Sequence, residues 1–214
     1  MSARKFPPLL WAGTLLTIAT LMVLALQLKL PTRFSKPLPV YGQVADFNLT
    51  NQLGRAFSLA DLRGHVWLAD IIFTTCPGPC LNMSHQMQQI AQALPPNSQA
   101  KLISLTTYPE FDTPPVLKAY AQPLGADPNR WNFLTGTKSE IAKLAIDSLK
   151  LTTIEKKPED RQSADDLFIH STIFVLVDKR AQLRGVFETT GEEIAWPKVK
   201  TEILSAMRQL EREP

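Results

Sequence analysis

Residues 66–94 read VWLADIIFTTCPGPCLNMSHQMQQIAQAL, and the fold turns on them. Residues 66–73 are almost continuously apolar and of strand length, the composition of a strand buried on both faces. Residues 74–80, Thr-Thr-Cys-Pro-Gly-Pro-Cys, break that run with two prolines and a glycine. Beyond them Met83, Met87, Ile90 and Leu94 recur at helical spacing and form one apolar stripe. Pro95-Pro96-Asn97 stops the helix. A buried strand passing through a cysteine turn into an amphipathic helix places two thiols where a strand ends and a helix begins.

The same reading extends outward. Residues 101–106 (KLISLT) form a second buried-type strand, and residues 114–124 a helix with Pro114 or Pro115 in its first turn. Ser139 is placed to cap a helix carrying Ile141, Leu144, Ala145 and Leu149. Residues 172–177 and 183–187 make strands of a hairpin through residues 178–182, and an amphipathic helix from Trp196 to about Leu210 turns Val199, Ile203, Ala206 and Leu210 inward. On the N-terminal side, residues 46–50 and 55–58 flank Asn51-Gln52-Leu53-Gly54 as a hairpin. The order β-β-β-α-β-α-α-β-β-α, with parallel strands first and an antiparallel hairpin last, predicts an α/β, thioredoxin-like fold with an N-terminal β-hairpin. Residues 150–168 are polar and charged and read as a surface loop just before His170.

Residues 9–28 (LLWAGTLLTIATLMVLALQL) carry no charge. At about 1.5 Å per residue they reach roughly 30 Å, the thickness of a bilayer core. Leu26, Gln27 and Leu28 follow Ala25 without a small-x-small cleavage site, so the segment reads as one retained transmembrane helix. The chain thus divides into a short tail (1–8), an anchor (9–28), a linker with three prolines (29–45) and a globular domain (46–214). Residues 1–36 hold Arg4, Lys5, Lys29, Arg33 and Lys36 and no acid; the chain's +3 therefore leaves the remainder at −2. With no basic excess to neutralise phosphates, a nucleic-acid partner is excluded. Two cysteines exclude a disulfide-stapled mini-protein and a four-cysteine zinc or iron–sulfur site.

Cys76 and Cys80 stand i, i+4 at the strand–helix junction, so the first helical turn brings both sulfurs to nearly one side. A helix N-terminus favours thiolate. Such a dithiol can cycle with a disulfide or bind a soft metal; two inert buried thiols or a structural disulfide are the plainer alternatives. Of the three histidines, His65 and His85 read as exposed, whereas His170 precedes residues 172–177 at the end of the fold where the cysteine turn lies. Two thiolates and one imidazole suit copper; zinc would want a fourth ligand, and none is obvious. Met83 and Met87 fit the core stripe rather than a thioether site.

Over about residues 41–210 the sequence resembles the Sco/SenC family of copper-binding cytochrome c oxidase assembly factors. Residues 73–80 (FTTCPGPC) resemble its Cys-x-x-x-Cys motif, residues 113–120 (TPPVLKAY) and 125–136 (GADPNRWNFLTG) its middle segment, and residues 169–172 (IHST) its histidine motif. The resemblance implies that Cys76, Cys80 and His170 ligate copper as Cu(I) or Cu(II). It implies delivery to the CuA site of cytochrome c oxidase subunit II, or reduction of that site's cysteines, by a metallochaperone rather than an enzyme. An upstream copper donor and a thiol reductant would serve it, and the domain would face the periplasm from a single-pass anchor in the inner membrane. Leu81, Tyr108 and the glycine-free turn Asp178–Gln182 depart from the family pattern. The rival function is a thiol–disulfide oxidoreductase with Cys76 and Cys80 as its redox pair. A peroxiredoxin-like peroxidase is weaker, since no arginine lies close to Cys76 in sequence.

Overall fold

The computed structural model describes residues 17–22, 37–76, 78–151, 153–157, 159, 168–191 and 193–213, with the backbone alone over 153–155 and 168–170. The chain separates into two compact units, Met1–Pro37 and Leu38–Pro214. In the first, residues 17–22 are helical and exposed. The rest of the expected 9–28 span lies outside the described residues, among which no helix is long and apolar enough to cross a membrane.

In the second unit the apolar run forms β4, Trp67–Ile72, in which every residue is buried. It pairs in parallel with β5, Lys101–Thr106, from Trp67↔Lys101 to Ile72↔Thr106. β6, Trp131–Thr135, extends the parallel set beyond β5. On the other side β9, Ile173–Val177, is antiparallel to β4 and forms a hairpin with β10, Gln182–Glu188. One edge is β1, Gly42–Gln43; the other is the hairpin of β2, Asn48–Asn51, and β3, Ala56–Ser58. The sheet order is β1-β10-β9-β4-β5-β6-β2-β3. β7, Thr153–Glu155, and β8, Phe168–His170, pair with each other in a separate two-stranded sheet.

Alternation along β4 divides the core. Leu68 and Ile72 face a cluster built with α1, Pro79–Ala93, α2, Pro114–Ala121, and α4, Trp196–Arg212. Trp67, Ala69 and Ile71 face the cluster that holds Leu144 and Leu149. That side is covered by α3, Lys138–Ala142, which continues as a π-helix over Lys143–Ser148. Met83, Met87 and Ile90 on α1 are fully buried, each contributing about 1.5–3 kcal/mol by leaving water.

Several elements depart from the sequence expectation. α3 is capped by Thr137, not Ser139, because Glu140 completes a capping box with Thr137: the Glu140 N–H donates to the Thr137 hydroxyl (3.2 Å), and the Thr137 N–H donates to the Glu140 carboxylate (3.2 Å). Residues 150–168, expected as a loop, contain β7 and lead into β8, which begins at Phe168. The 29–45 linker expectation also meets structure, since Leu38 packs against the core and β1 pairs with Leu183 and Gln182 of β10. In the β9–β10 turn Ala181 takes the left-handed conformation (φ 61°) that a glycine would adopt freely.

A buried guanidinium locks the start of this unit to its end. Arg184 donates to Asp178 (2.6 Å), to Glu213 (2.9 Å) and to the carbonyls of Leu38 (2.9 Å) and Pro39 (3.2 Å). This junction lies level with Trp67, because Leu183 pairs with Val177 and Val177 with Trp67. It is therefore at the opposite end of β4 from the cysteines.

Candidate functional site

After Ile72 the chain leaves the sheet in a turn closed by the Cys76 N–H on the Phe73 carbonyl (3.2 Å). A second fastening comes from Asp112, in the loop between β5 and α2. Its carboxylate accepts from the Thr74 N–H (3.1 Å) and from the hydroxyls of Thr74 and Thr106. Asp112 is wholly buried, and that burial raises its pKa against the opposing pull of these hydrogen bonds. The loop is shaped by the Asp112 N–H on the Tyr108 carbonyl (2.8 Å), and Pro114 then opens α2.

α1 begins at Pro79 with Gly78 as its cap, which places Cys80 in the first turn. Cys80 is fully buried, Cys76 is half-buried, and neither is in a disulfide. The Cys76 side chain lies within hydrogen-bonding reach of Cys80, so the spacing does bring the two sulfurs together. The electrostatic expectation fails for Cys80. Burial pushes its thiol far above the ordinary value, and Cys76 and Asp70 push the same way, while the Phe73 main chain pulls down. Desolvation outweighs the helix N-terminus at this sulfur.

Asp70 is wholly buried and shares the face of β4 that carries Leu68 and Ile72. Tyr120 on α2 shares a hydrogen bond with Ser84 on α1 (2.9 Å), and its ring meets Phe133 edge-on at 6.0 Å. Burial raises its pKa, with Cys80, Asp70 and Cys76 adding to the effect. Toward solvent, Tyr108 and Phe111 stack at 5.7 Å, and Phe111 and Leu81 are exposed. A cavity of about 420 Å³ lined by Gly64, His65, Lys179, Arg208 and Arg212 opens at the other end of the sheet. The dithiol sits in a surface turn instead.

His170 is the last residue of β8, opposite Thr153. Its side chain lies outside what is described, and among the described residues no three His, Cys, Asp or Glu side chains cluster as a metal site. His85 is exposed, as expected; His65 is partly buried rather than exposed. Met83 and Met87 lie in the core. Sequence reasoning missed Asp70, Asp112 and Tyr120. Asp70 had a local signal, being the lone charge in VWLADIIF; Asp112 had none, since its partner Thr74 is 38 positions away.

The family model described as SCO1/SenC matches residues 39–204. The SCO1 protein homolog of Bacillus subtilis (strain 168) is 39% identical over 162 residues, covering 73% of this chain and 81% of its own. Among solved structures, a SCO1/SenC family lipoprotein from Bacillus anthracis str. Ames superposes with a TM-score of 0.69 at 27% identity, over 83% of this chain and 99% of that one. BsSco, described with a disulfide switch and as a member of the Sco family of cytochrome c oxidase assembly proteins, gives 0.65 at 29% identity, over 82% and 99%. The fold alone is shared with Bradyrhizobium japonicum ScoI, solved with copper bound, at TM-score 0.61 and 22% identity over 79% and 99%.

Proposed function

The chain belongs to the SCO1/SenC family, and from that premise we propose that it is a copper chaperone of cytochrome c oxidase assembly, with copper as its cargo. The observation that carries this reading is the pair of thiols, Cys76 and Cys80, gathered at the end of a buried strand. Soft thiolates select Cu(I) over hard cations. His170 supplies the third ligand, which Cu(II) requires and Cu(I) does not. The recipient is the CuA site of subunit II, and an upstream donor and a thiol reductant serve the chaperone. Residues 9–28 anchor it, single-pass, in the inner membrane, with the linker running from residue 29 to where Leu38 joins the core, and the domain on the periplasmic side. A topology reporter fused after Pro214 should read extracytoplasmic; a cytoplasmic reading overturns the orientation.

The thiols also support a second reading, as a thiol–disulfide oxidoreductase. A half-buried Cys76 beside a buried, protonated Cys80 is the asymmetry of an attacking and a resolving thiol. The two readings make opposite demands: a chaperone must keep the dithiol, and a reductase loses it on every turnover. In the reduced full-length chain one copper should bind, and oxidation to the Cys76–Cys80 disulfide should abolish binding. Complementation of a deletion strain at limiting copper separates the roles. If His170→Ala supports normal oxidase assembly while Cys76→Ser fails, the chaperone reading is wrong and the reductase reading stands.

A further inference from the structure

The offset between the histidine segment and the cysteine helix must be held by whatever joins them, because β8 is not part of the eight-stranded sheet. Only Ser171 and Thr172 separate His170 from β9. The Thr172 carbonyl accepts from both the N–H (2.9 Å) and the hydroxyl (2.8 Å) of Thr189, just past β10, and the Thr172 and Thr190 hydroxyls share a hydrogen bond (2.7 Å). The Thr189 carbonyl in turn accepts from the side-chain amide of Gln86 (3.1 Å). Gln86 lies six residues beyond Cys80 on α1. One helix and two hydrogen-bonded steps therefore connect the buried thiol to the residue two places from His170.

The inner links of this path are shielded from water, Gln86 being 4% exposed and Thr189 3%, while Thr172 is partly buried. Gln86 also stands among Met83, Met87 and Ile90 on the buried face of α1, where an apolar side chain would pack without desolvating an amide. Its Nε2 meets the Thr189 carbonyl, while its Oε1 is buried with no hydrogen-bond partner among the described residues. The buried amide bears that cost, and its bond is aimed at the end of the β9–β10 hairpin, so its contribution here is the bond rather than apolar packing.

We propose that Gln86 and Thr189 are positioning residues for His170, holding its segment at a fixed offset from the dithiol and so deciding whether a third ligand reaches copper bound by Cys76 and Cys80. The inference rests on the copper reading of the site and deepens it. Its signature is selective by oxidation state: two thiolates hold Cu(I) without help, whereas Cu(II) wants nitrogen as well.

The test uses the reduced full-length chain with Gln86→Met and Thr189→Val, which keep volume and remove the donor, and Thr189→Ser, which restores the hydroxyl. Thr190→Val is the mild variant should either of the first two unfold. Loss of an outer partner costs roughly 10–100-fold in metal affinity. Gln86→Met and Thr189→Val should show that loss for Cu(II), with visible and EPR spectra moved toward those of His170→Ala and Cu(I) affinity unchanged. Thr189→Ser should keep the wild-type spectrum. In the metal-free protein, the His170 ring resonances should shift in both donor-less variants. Wild-type Cu(II) spectra in these variants, or equal losses of Cu(I) and Cu(II), overturn the inference, as do unmoved His170 resonances. A wild-type Cu(II) spectrum indifferent to His170→Ala, with the metal-free shifts still present, overturns the copper reading and leaves the positioning intact.

Discussion

The two arms of the candidate site are built differently. The dithiol arm grows out of β4, six buried residues paired along their length with β5 and over Trp67–Ala69 with β9, and Asp112 fastens its turn. The histidine arm leaves the main sheet for β8, three residues paired with the three residues of β7. A two-stranded pair of that length is marginal by itself. It relies on neighbours, and at its C-terminal side those are Thr189, Thr190 and, behind them, Gln86. One half of the site is thus made by the fold and the other is docked to it, so the two halves should fail in different ways when disturbed.

The widest separation between the arms should come from removing their proposed ligands. Cys80→Ser should lower Cu(I) affinity by more than the roughly 10–100-fold typical of an outer-shell change. His170→Ala should leave Cu(I) nearly untouched and weaken Cu(II). Competition against a Cu(I) chelator measures this, and equal Cu(I) losses would erase the distinction.

Acidity sharpens the contrast next. Burial keeps the Cys80 thiol protonated through the physiological range, so metal must expel its proton. Apparent Cu(I) affinity should rise with pH by up to about tenfold per unit for each proton released. A flat profile between pH 6 and 8 would show that no thiol proton leaves on binding.

A smaller effect falls on stability. Asp112→Asn cannot accept all the donors that Thr74 and Thr106 present, and should cost about 1–3 kcal/mol in denaturant unfolding. The pH dependence has a definite sign. Burial raises the folded-state pKa of Asp112, so its titration contributes stability that is complete below the ordinary carboxylate value and lost as pH rises through the folded one. The gap between wild type and Asp112→Asn should therefore widen on acidification. The smallest change lies at the far end, where Ala181→Gly relieves a left-handed φ of 61°. After the entropy of glycine is subtracted, a gain of about 0.5–1 kcal/mol remains, with copper binding by both arms unchanged.

The dithiol arm was legible from the sequence because its determinants are local. An unbroken apolar run specifies a strand buried on both faces, and Met83, Met87 and Ile90 specify the inward stripe of the helix that follows. The histidine arm was half legible. His170 could be placed before a buried strand, but the pairing of Phe168–His170 with Thr153–Glu155 joins two short segments without a period to detect. β6 escaped for a related reason: Asn132 interrupts an otherwise apolar WNFLT, and its burial is made tolerable by Asn51, which donates to it across 81 positions. The direction of the Cys80 shift was missed because the motif shows the helix N-terminus but not the depth at which the sulfur sits.

The fork of Arg184 has a mechanical meaning. Any pull transmitted along the N-terminal segment arrives at Leu38, whose carbonyl is pinned to the same guanidinium that grips Asp178 and Glu213. The load passes into the β9–β10 hairpin and the last residues of the chain, and the two residues of β1 do not carry it alone. Leu38 is thus held by a buried pin. Six residues of β4, about 20 Å at strand pitch, separate its level from the turn that carries the thiols. The fastening of the domain's first residues therefore lies a full strand length from the thiol turn.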